Sequence, residues 1–362
     1  MRNDAEVSDI LIRHRAFLRS YFFILLLYHT LPKNAILRRE IQGIYSENRN
    51  FPADFAVNLT KKAVAAIILY RTDTEGVLQM AVRIIADSTC DLSQELIARY
   101  GITIMPLYVS LEDESYRDGV NITAADIFRH VDSGGALPKT AAVSAGEFLE
   151  CIASVRADHP DDEVILITIS AEFSSCYQNA VIAAESSEGV YAVDSRNLST
   201  GFGHVVLTAA ELAEEGLSAA EITEKLREII PLVDASFILN RLDYLRKGGR
   251  CSAIAALGAN LLKLKPCIAV RDGKMTVVKK YRGNYEKCVE QYVRDRLSTP
   301  EQIVPHRIFI THAAASAEAV QTADRTIRSI APFDSITETT AGCTVSSHCG
   351  PGTLGVLFIR KP

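Results

Sequence analysis

Nucleotide-binding and zinc-protease motifs are missing from this sequence. The 362 residues contain no GxxxxGKS/T loop, no HExxH, and only a fragment of GxGxxG, because Gly201-Phe202-Gly203 lacks the third glycine. The GxSxG elbow of a hydrolase is absent too. A chain that cradles ATP by itself, or cuts an ester with a serine triad, is therefore not indicated. Cysteine is sparse: the eight present (Cys90, Cys151, Cys176, Cys251, Cys267, Cys288, Cys343, Cys349) include no CxxC and are too few for a disulfide scaffold, so they read as reduced thiols of a cytoplasmic protein. Long apolar runs are lacking as well. The most apolar stretch, Tyr21 to Tyr28, falls far short of the ~20 residues that cross a bilayer. Arg13, Arg15 and Arg19 before it give a faint likeness to a signal peptide, but no small-residue cleavage site follows, and a short amphipathic element is expected. Nor is there an excess of positive charge. The formal charge of −5 divides into +3 over residues 1–79 and −8 over residues 80–362, the opposite of a nucleic-acid binder.

What is present is an ordinary soluble composition, 48% hydrophobic and 23% charged, in a chain long enough to bury one large core or two modest ones. Character changes at Met80. Before it periodicity is poor, and residues 1–79 read as an appendage; Met80 followed by Ala81-Val82-Arg83-Ile84-Ile85 reads as the natural start of a domain, so translation from Met80 is an alternative to Met1. After it, short β-rich runs alternate with helical patterns. The spacing predicts a strand at Val82–Ala86, a helix at Leu92–Tyr100 capped by Asp91 and closed by Gly101, and a strand at Ile102–Ser110. Helices from Thr123 and Ser144, a strand at Glu163–Ser170, a helix opened by Ser174 or Ser175 and a strand at Val190–Asp194 follow. Helices near His204–Glu215 and Ala219–Ile230 complete a first α/β lobe, residues 80–232, expected to be a Rossmann-like parallel sheet with helices on both faces. Residues 233–362 read as an α+β lobe with a mixed sheet: strands at Ser236–Asn240, Arg307–Thr311, Ser335–Thr340 and Thr353–Ile359, helices at Ile254–Leu262, Asn284–Leu297 and Ser316–Ile330, and a hairpin at Pro266–Lys280 turned by Asp272-Gly273.

Four segments place small hydroxyl or acidic residues where strands are expected to end: Asp87-Ser88-Thr89, Thr140 to Ser144, Ser170 to Ser175, and Asp194-Ser195. In an open parallel sheet such ends converge on the ligand crevice, and the helix N-termini there suit a carboxylate or phosphate. The plainer reading of each is a helix cap. In the second lobe, Lys247-Gly248-Gly249-Arg250 sets a guanidinium after a flexible glycine pair, suited to phosphate oxygens, although Gly248 as a helix end beside a solvated Arg250 is an equal reading. His348-Cys349-Gly350-Pro351-Gly352 reads as a tight turn before the final strand, with a histidine able to donate to a carboxylate. Cys343, His348 and Cys349 match no standard metal spacing, so no metal is expected.

These motifs together, in order from Met80 to Pro362, resemble the DegV family. Asp87-Ser88-Thr89-Cys90-Asp91-Leu92 is similar to its opening D-S-T-x-D-L; Asp118-Gly119 with Phe128, Ser170 to Tyr177 with Gln178-Asn179-Ala180, Asp194-Ser195, Leu242 to Arg250, Leu262 to Pro266, Arg282-Gly283 and His348-x-Gly350-Pro351-Gly352 continue the likeness. The resemblance implies a long-chain fatty acid in an apolar tunnel between two lobes, with no cofactor. It implies carboxylate ligands at Thr140, Ser174 and His348, and Arg250 facing the phosphate or the partner. That partner is a separate ATP-dependent fatty acid kinase that makes an acyl phosphate for phospholipid synthesis, with transient membrane contact allowed. Ser88, Ser175, Cys176 and Gly350 are further pocket candidates. The protein itself is then a carrier and not an enzyme. The alternatives are a phosphotransferase subunit related to dihydroxyacetone kinases, or a non-catalytic lipid sensor. The chain departs from the pattern in two places: Ala141-Ala142-Val143 replace Ser-Gln-Pro after the threonine, and Ser175-Cys176 replace Gly-Thr, which adds bulk at the head-group site. The cysteines at positions 176, 251 and 349 read as small apolar fillers, with redox sensing as the sharper alternative.

Overall fold

Val82–Asp87 forms the first strand (β1) because its aliphatic run can be covered on both sides: Ile84, Ile85 and Ala86 are buried in succession, as happens only when helices sit on both faces of a sheet. The computed structural model describes residues 81–157, 159–251 and 264–362. The expectations for residues 1–79, for the Tyr21–Tyr28 element and for a helix at Ile254–Leu262 lie outside the described residues.

After β1 the chain forms helix α1 (Gln94–Arg99) and strand β2 (Thr103–Met105). The predicted cap, Asp91, takes a different role. Its φ of 51° ends a short 3-10 turn, Ser88–Cys90, and Ser93 caps α1 instead, its Oγ accepting from Leu96 N at 3.3 Å. The single strand expected at Ile102–Ser110 is two. Pro106, which has no N–H to offer a ladder, separates β2 from β3 (Tyr108–Leu111), and β3 joins a small antiparallel sheet with β4 (Glu114–Arg117) and β5 (Lys139–Ala141). Between β4 and β5 lies α2 (Ala124–Asp132), and after β5 comes α3 (Ala145–Arg156); capping boxes, Thr123 with Asp126 and Ser144 with Glu147, open both. β6 (Glu163–Thr168), α4 (Cys176–Glu185), β7 (Val190–Asp194), α5 (Ser199–Glu214) and α6 (Ala219–Ile229) complete this part. The four strands lie in the order β2-β1-β6-β7 and are all parallel.

The remaining chain builds a mixed sheet. β8 (Val233–Ile238) and α7 (Asp243–Gly248) precede a hairpin of β9 (Leu264–Arg271) and β10 (Lys274–Arg282). Its turn residues Asp272 (φ 48°) and Gly273 (φ 80°) both have the positive φ of the predicted type I′ turn. Then follow α8 (Tyr285–Arg296), β11 (Arg307–Ala313), α9 (Ala317–Ile330), β12 (Ser335–Thr340), α10 (Cys343–Cys349) and β13 (Thr353–Ile359). The strand order is β10-β9-β8-β13-β11-β12, with β11 and β12 parallel and the other neighbours antiparallel. One apolar cluster packs α8 and α9 on this sheet; the larger one joins both sheets through α5.

Helix α5 explains how the two sheets meet. Every residue from Ser199 to Leu207 is buried, and the helix touches β1 and β6 on one side and β8, β11 and β13 on the other. Gly201 and Gly203, the incomplete dinucleotide motif, serve close packing: a Cβ at Gly201 would lie 2.7 Å from Ala235 Cβ, and one at Gly203 would lie 2.8 Å from the carbonyl oxygen of Cys90. Gly203→Ala should lower stability by about 1–3 kcal/mol, because overpacking outweighs the gain of about 1 kcal/mol in helix propensity. Urea denaturation measures this, and an unchanged or raised midpoint would refute the packing role.

Candidate functional site

The elements just described bring four distant segments to one cavity of about 320 Å³. β5 carries Thr140, aligned opposite Val109 of β3. The entry to α4 brings Ser174 and Ser175, the chain after α7 brings Arg250, and the last turn of α10 brings His348. The other walls are largely apolar, from Leu107, Ile169, Phe173, Leu198, Met275 and Val345. At Leu198, Val345 and Cys349 the cavity adjoins a second, smaller space of about 20 Å³ beside Phe237 and Leu357.

Thr140 Oγ1 and His348 Nε2 lie 2.9 Å apart. His348 Nδ1 is buried and has no hydrogen-bond partner among the described residues; a Cβ at Gly248 would lie 2.6 Å from it. A buried N–H without an acceptor is the costlier defect, which assigns the proton to Nε2. The Thr140 hydroxyl then accepts from His348, and its own hydrogen is available to the cavity. Burial, followed by the positive charge of Arg250, pushes the His348 imidazole down to about 4, so it is neutral at pH 7. Arg250 is exposed, donates to Gly248 O at 2.9 Å and pairs with no carboxylate among the described residues. It is thus the cation of this wall. Ser174 Oγ is tied locally, accepting from Cys176 N at 3.3 Å, whereas Ser175 makes no side-chain cap bond. Ser175 has φ −79° and ψ 5°, so glycine is not required where the family pattern has one.

Of the predicted site residues, Thr140, Ser174, Ser175, Arg250 and His348 line the cavity together; Ser88, Cys176 and Gly350 do not. Ser88 Oγ donates to Asp118 and accepts from Leu107 N, both at 3.1 Å, which makes it a brace beneath the wall. Cys176 is fully buried and its thiol is pushed up to about 12 by burial. Gly350 (φ 76°) is needed for its turn and its space, since a Cβ would meet the Tyr244 ring at 2.7 Å. Of the four hydroxyl-rich segments, two reach the cavity. The others serve the frame: Asp87 Oδ2 accepts from Ile169 N at 2.7 Å, and Asp194 Oδ1 from Arg196 N at 2.8 Å. Thr140 also sits within a strand and not in a strand-to-helix loop, and His348 belongs to a helix that the reading of 348–352 as a turn missed. Burial likewise raises the Cys349 thiol to about 12, so it faces the cavity as a neutral group. Leu198, Phe173 and Met275 were not foreseen as wall residues, because an apolar side chain looks the same in sequence whether it faces a core or a cavity. Among the described residues no cluster of His, Cys, Asp or Glu is arranged to hold a metal, and no helix is long and apolar enough to cross a membrane.

Comparison with known proteins places the same span in one group. The DegV family model, described as an uncharacterised protein of the DegV family, matches residues 81–361. A DegV domain-containing protein of Clostridium acetobutylicum is 33% identical over 282 residues, 77% of this chain and 99% of its own length. One from Caldanaerobacter subterraneus is 31% identical over 282 residues, with the same coverage. Among solved structures, a DegV family protein from Thermus thermophilus, reported for its fatty acid binding, superposes with a TM-score of 0.72 at 29% identity, covering 78% of this chain and 100% of that one. DegV from Bacillus subtilis, a fatty acid binding protein, gives 0.68 at 25% identity, covering 78% and 100%.

The histidine predicts a pH effect. Its folded pKa (about 4) lies below the ordinary 6.5, so the stability tied to neutral His348 is present above pH 6.5 and is lost as pH falls through about 4. The stability of the natural protein relative to His348→Gln, which does not titrate, should therefore fall by on the order of 3 kcal/mol across that window. Asp87, raised by burial to about 6, works in the opposite direction but is common to both proteins and cancels. Urea titrations at stepped pH measure the difference; a flat difference would contradict the burial of the imidazole.

Proposed function

This chain belongs to the DegV family, and on that premise we propose that it binds a long-chain fatty acid in the cavity, carboxylate at the Thr140–His348 end, and presents it to a separate ATP-dependent kinase. Residues 80–232 and 233–362 are then the two lobes of one DegV domain, with residues 1–79 as an extension. The observation that carries this reading is a cavity with apolar walls and, at one end, a hydroxyl and imidazole in mutual contact beside a cation that has no carboxylate partner among the described residues. An acyl tail gains roughly 0.8 kcal/mol per buried methylene, so the walls supply affinity. The polar end need only replace the water lost by a carboxylate, whose uncompensated burial is costly. The Thr140 and Ser174 hydroxyls, with Ser175 beside them, offer hydrogen bonds, the neutral His348 orients Thr140, and Arg250 contributes the charge. The further opening beneath Leu198, Val345 and Cys349 is the direction available to the tail.

The separate kinase is what the resemblance to the family implies, and the sequence is compatible with it. Transfer of the γ-phosphoryl group of ATP to a carboxylate oxygen, with ADP leaving, needs a phosphate cradle and Mg²⁺ ligands, and the sequence has no such loop. Arg250 can pair two phosphate oxygens when the partner docks. A phosphotransferase with a covalent histidine adduct fits less well: His348 Nε2 faces Thr140, and Nδ1 is closed off by Gly248.

Organic extraction and mass spectrometry of the purified protein should recover a long-chain fatty acid near one equivalent. Thr140→Val, which keeps the shape and removes the hydroxyl, should weaken binding of a fluorescent polyene fatty acid about tenfold, the loss expected for one buried hydrogen bond to a charge. A protein that carries no lipid and ignores added fatty acid would rule the reading out.

A further inference from the structure

Helix α10, which carries His348, is seven residues long, too short to hold a direction by itself, and Gly342 before it provides no side-chain cap. Its first N–H groups are taken by carboxylates from the other lobe. Gly342 N donates to Asp91 Oδ1 at 2.8 Å, Cys343 N to Asp118 Oδ1 at 2.7 Å and Thr344 N to Asp118 Oδ2 at 3.0 Å. Asp118 directly follows β4, and Asp91 lies between β1 and α1, so all three bonds cross between the lobes. Both carboxylates are buried, and each has a second fastening: Ser88 Oγ donates to Asp118 Oδ2 at 3.1 Å, and Ser199 Oγ to Asp91 Oδ2 at 2.5 Å. Asp91 and Ser199 both sit in the left-handed region (φ 51° and 52°), an arrangement that non-glycine residues rarely adopt unless their surroundings hold it. Position 342 is tight: a Cβ would lie 3.1 Å from Asp91 Oδ1 and 3.3 Å from Asp118 Oδ1, so a larger residue would push on both carboxylates. A fourth tie, from Cys343 Sγ to Ile122 O at 3.2 Å, reaches the same lobe.

We propose that Asp118, with Asp91 beside it, is the positioning residue of the site: its carboxylate grips the start of α10 so that the last turn presents His348 to Thr140. This rests on the functional reading above, in which the Thr140–His348 pair is the head-group end. Asp118 does not line the cavity itself; it bonds to Thr344 and Leu107, which do, and reaches His348 through the helix. A carboxylate suits this role because both of its oxygens accept, one for each adjacent N–H. Asparagine offers one acceptor and turns its NH₂ toward the other N–H. The same bonds cross from lobe to lobe and hold His348 in place relative to the hydroxyls of the first lobe.

The test is Asp118→Asn, followed by imidazole ¹⁵N spectra without lipid and by binding of the fluorescent fatty acid. The His348 ring signals should move while those of His204 stay in place, because His204 is buried elsewhere with Nε2 3.0 Å from Leu357 O. Affinity should fall about tenfold, the loss expected when Thr140 is no longer held to donate its hydrogen bond to the carboxylate. Asp118→Glu, which keeps two acceptor oxygens, should restore part of both. Asp234→Asn, which breaks the buried pairing with Arg296 and Arg360 away from α10, supplies a destabilised control in which His348 signals hold. Should Asp118→Asn fail to fold, Gly342→Ala presses a methyl group against both carboxylates and is read in the same way. His348 signals that coincide with the natural protein, or that move equally in Asp234→Asn, overturn the proposal. The spectra need no ligand, so failure of the natural protein to bind the fatty acid overturns the functional reading and leaves the positioning role to be decided by His348 alone.

Discussion

Everything at the site depends on how closely α5 lies between the two sheets. Gly201 and Gly203 leave no room for a methyl group on either side, and Phe202, Val205, Val206 and Leu207 fill the space around them without exposure. At native packing density such an arrangement has little freedom to slide. It therefore fixes the distance between a parallel sheet built from the first half of the domain and a mixed sheet built from the second. The cavity is the space left over near one end of that contact, where β5 and the entry to α4 come from one lobe and α10 from the other.

The chemistry within that space follows from desolvation more than from charge. A histidine held neutral by burial cannot bring a cation to a carboxylate; it can hold a hydroxyl in a donating orientation, which Thr140 Oγ1 at 2.9 Å from Nε2 permits. Positive charge comes instead from Arg250, placed in solvent at the cavity wall, where it costs no burial. Beneath the wall, buried carboxylates hold the frame. Asp87, Asp91 and Asp118 each accept from backbone N–H groups at a loop or helix start, which offsets part of their desolvation. Burial still lifts Asp91 to about 8 and Asp87 to about 6.

Most elements could be read from local pattern, and the exceptions share a cause. Ser144, Ser218 and Asn284 cap helices through side-chain bonds to their own neighbours, and Asp272-Gly273 turns a hairpin through its own dihedrals. Such signals are short-ranged and visible in sequence. Asp91 looked like another cap, yet its carboxylate spends its bonds on Gly342 and Ser199, which are remote in the chain. Ser88 looked like a wall residue and turned out to brace Asp118 and Leu107. Helix α10 escaped detection because its N–H groups are satisfied by partners more than 200 positions earlier, at separations of 225, 226 and 251 residues.

The residues alone determined the alternation of strand and helix, the two-part architecture and the absence of a nucleotide loop, since composition and period are properties of the chain itself; Thr140, Ser174, Arg250 and His348 stood out through the resemblance to the DegV family. Tertiary structure alone decided that Thr140 and His348 touch across 208 residues, that His348 is neutral, and which hydroxyls face the cavity and which the frame. Those outcomes depend on which groups lose water together, and that is settled only when both sheets close on α5.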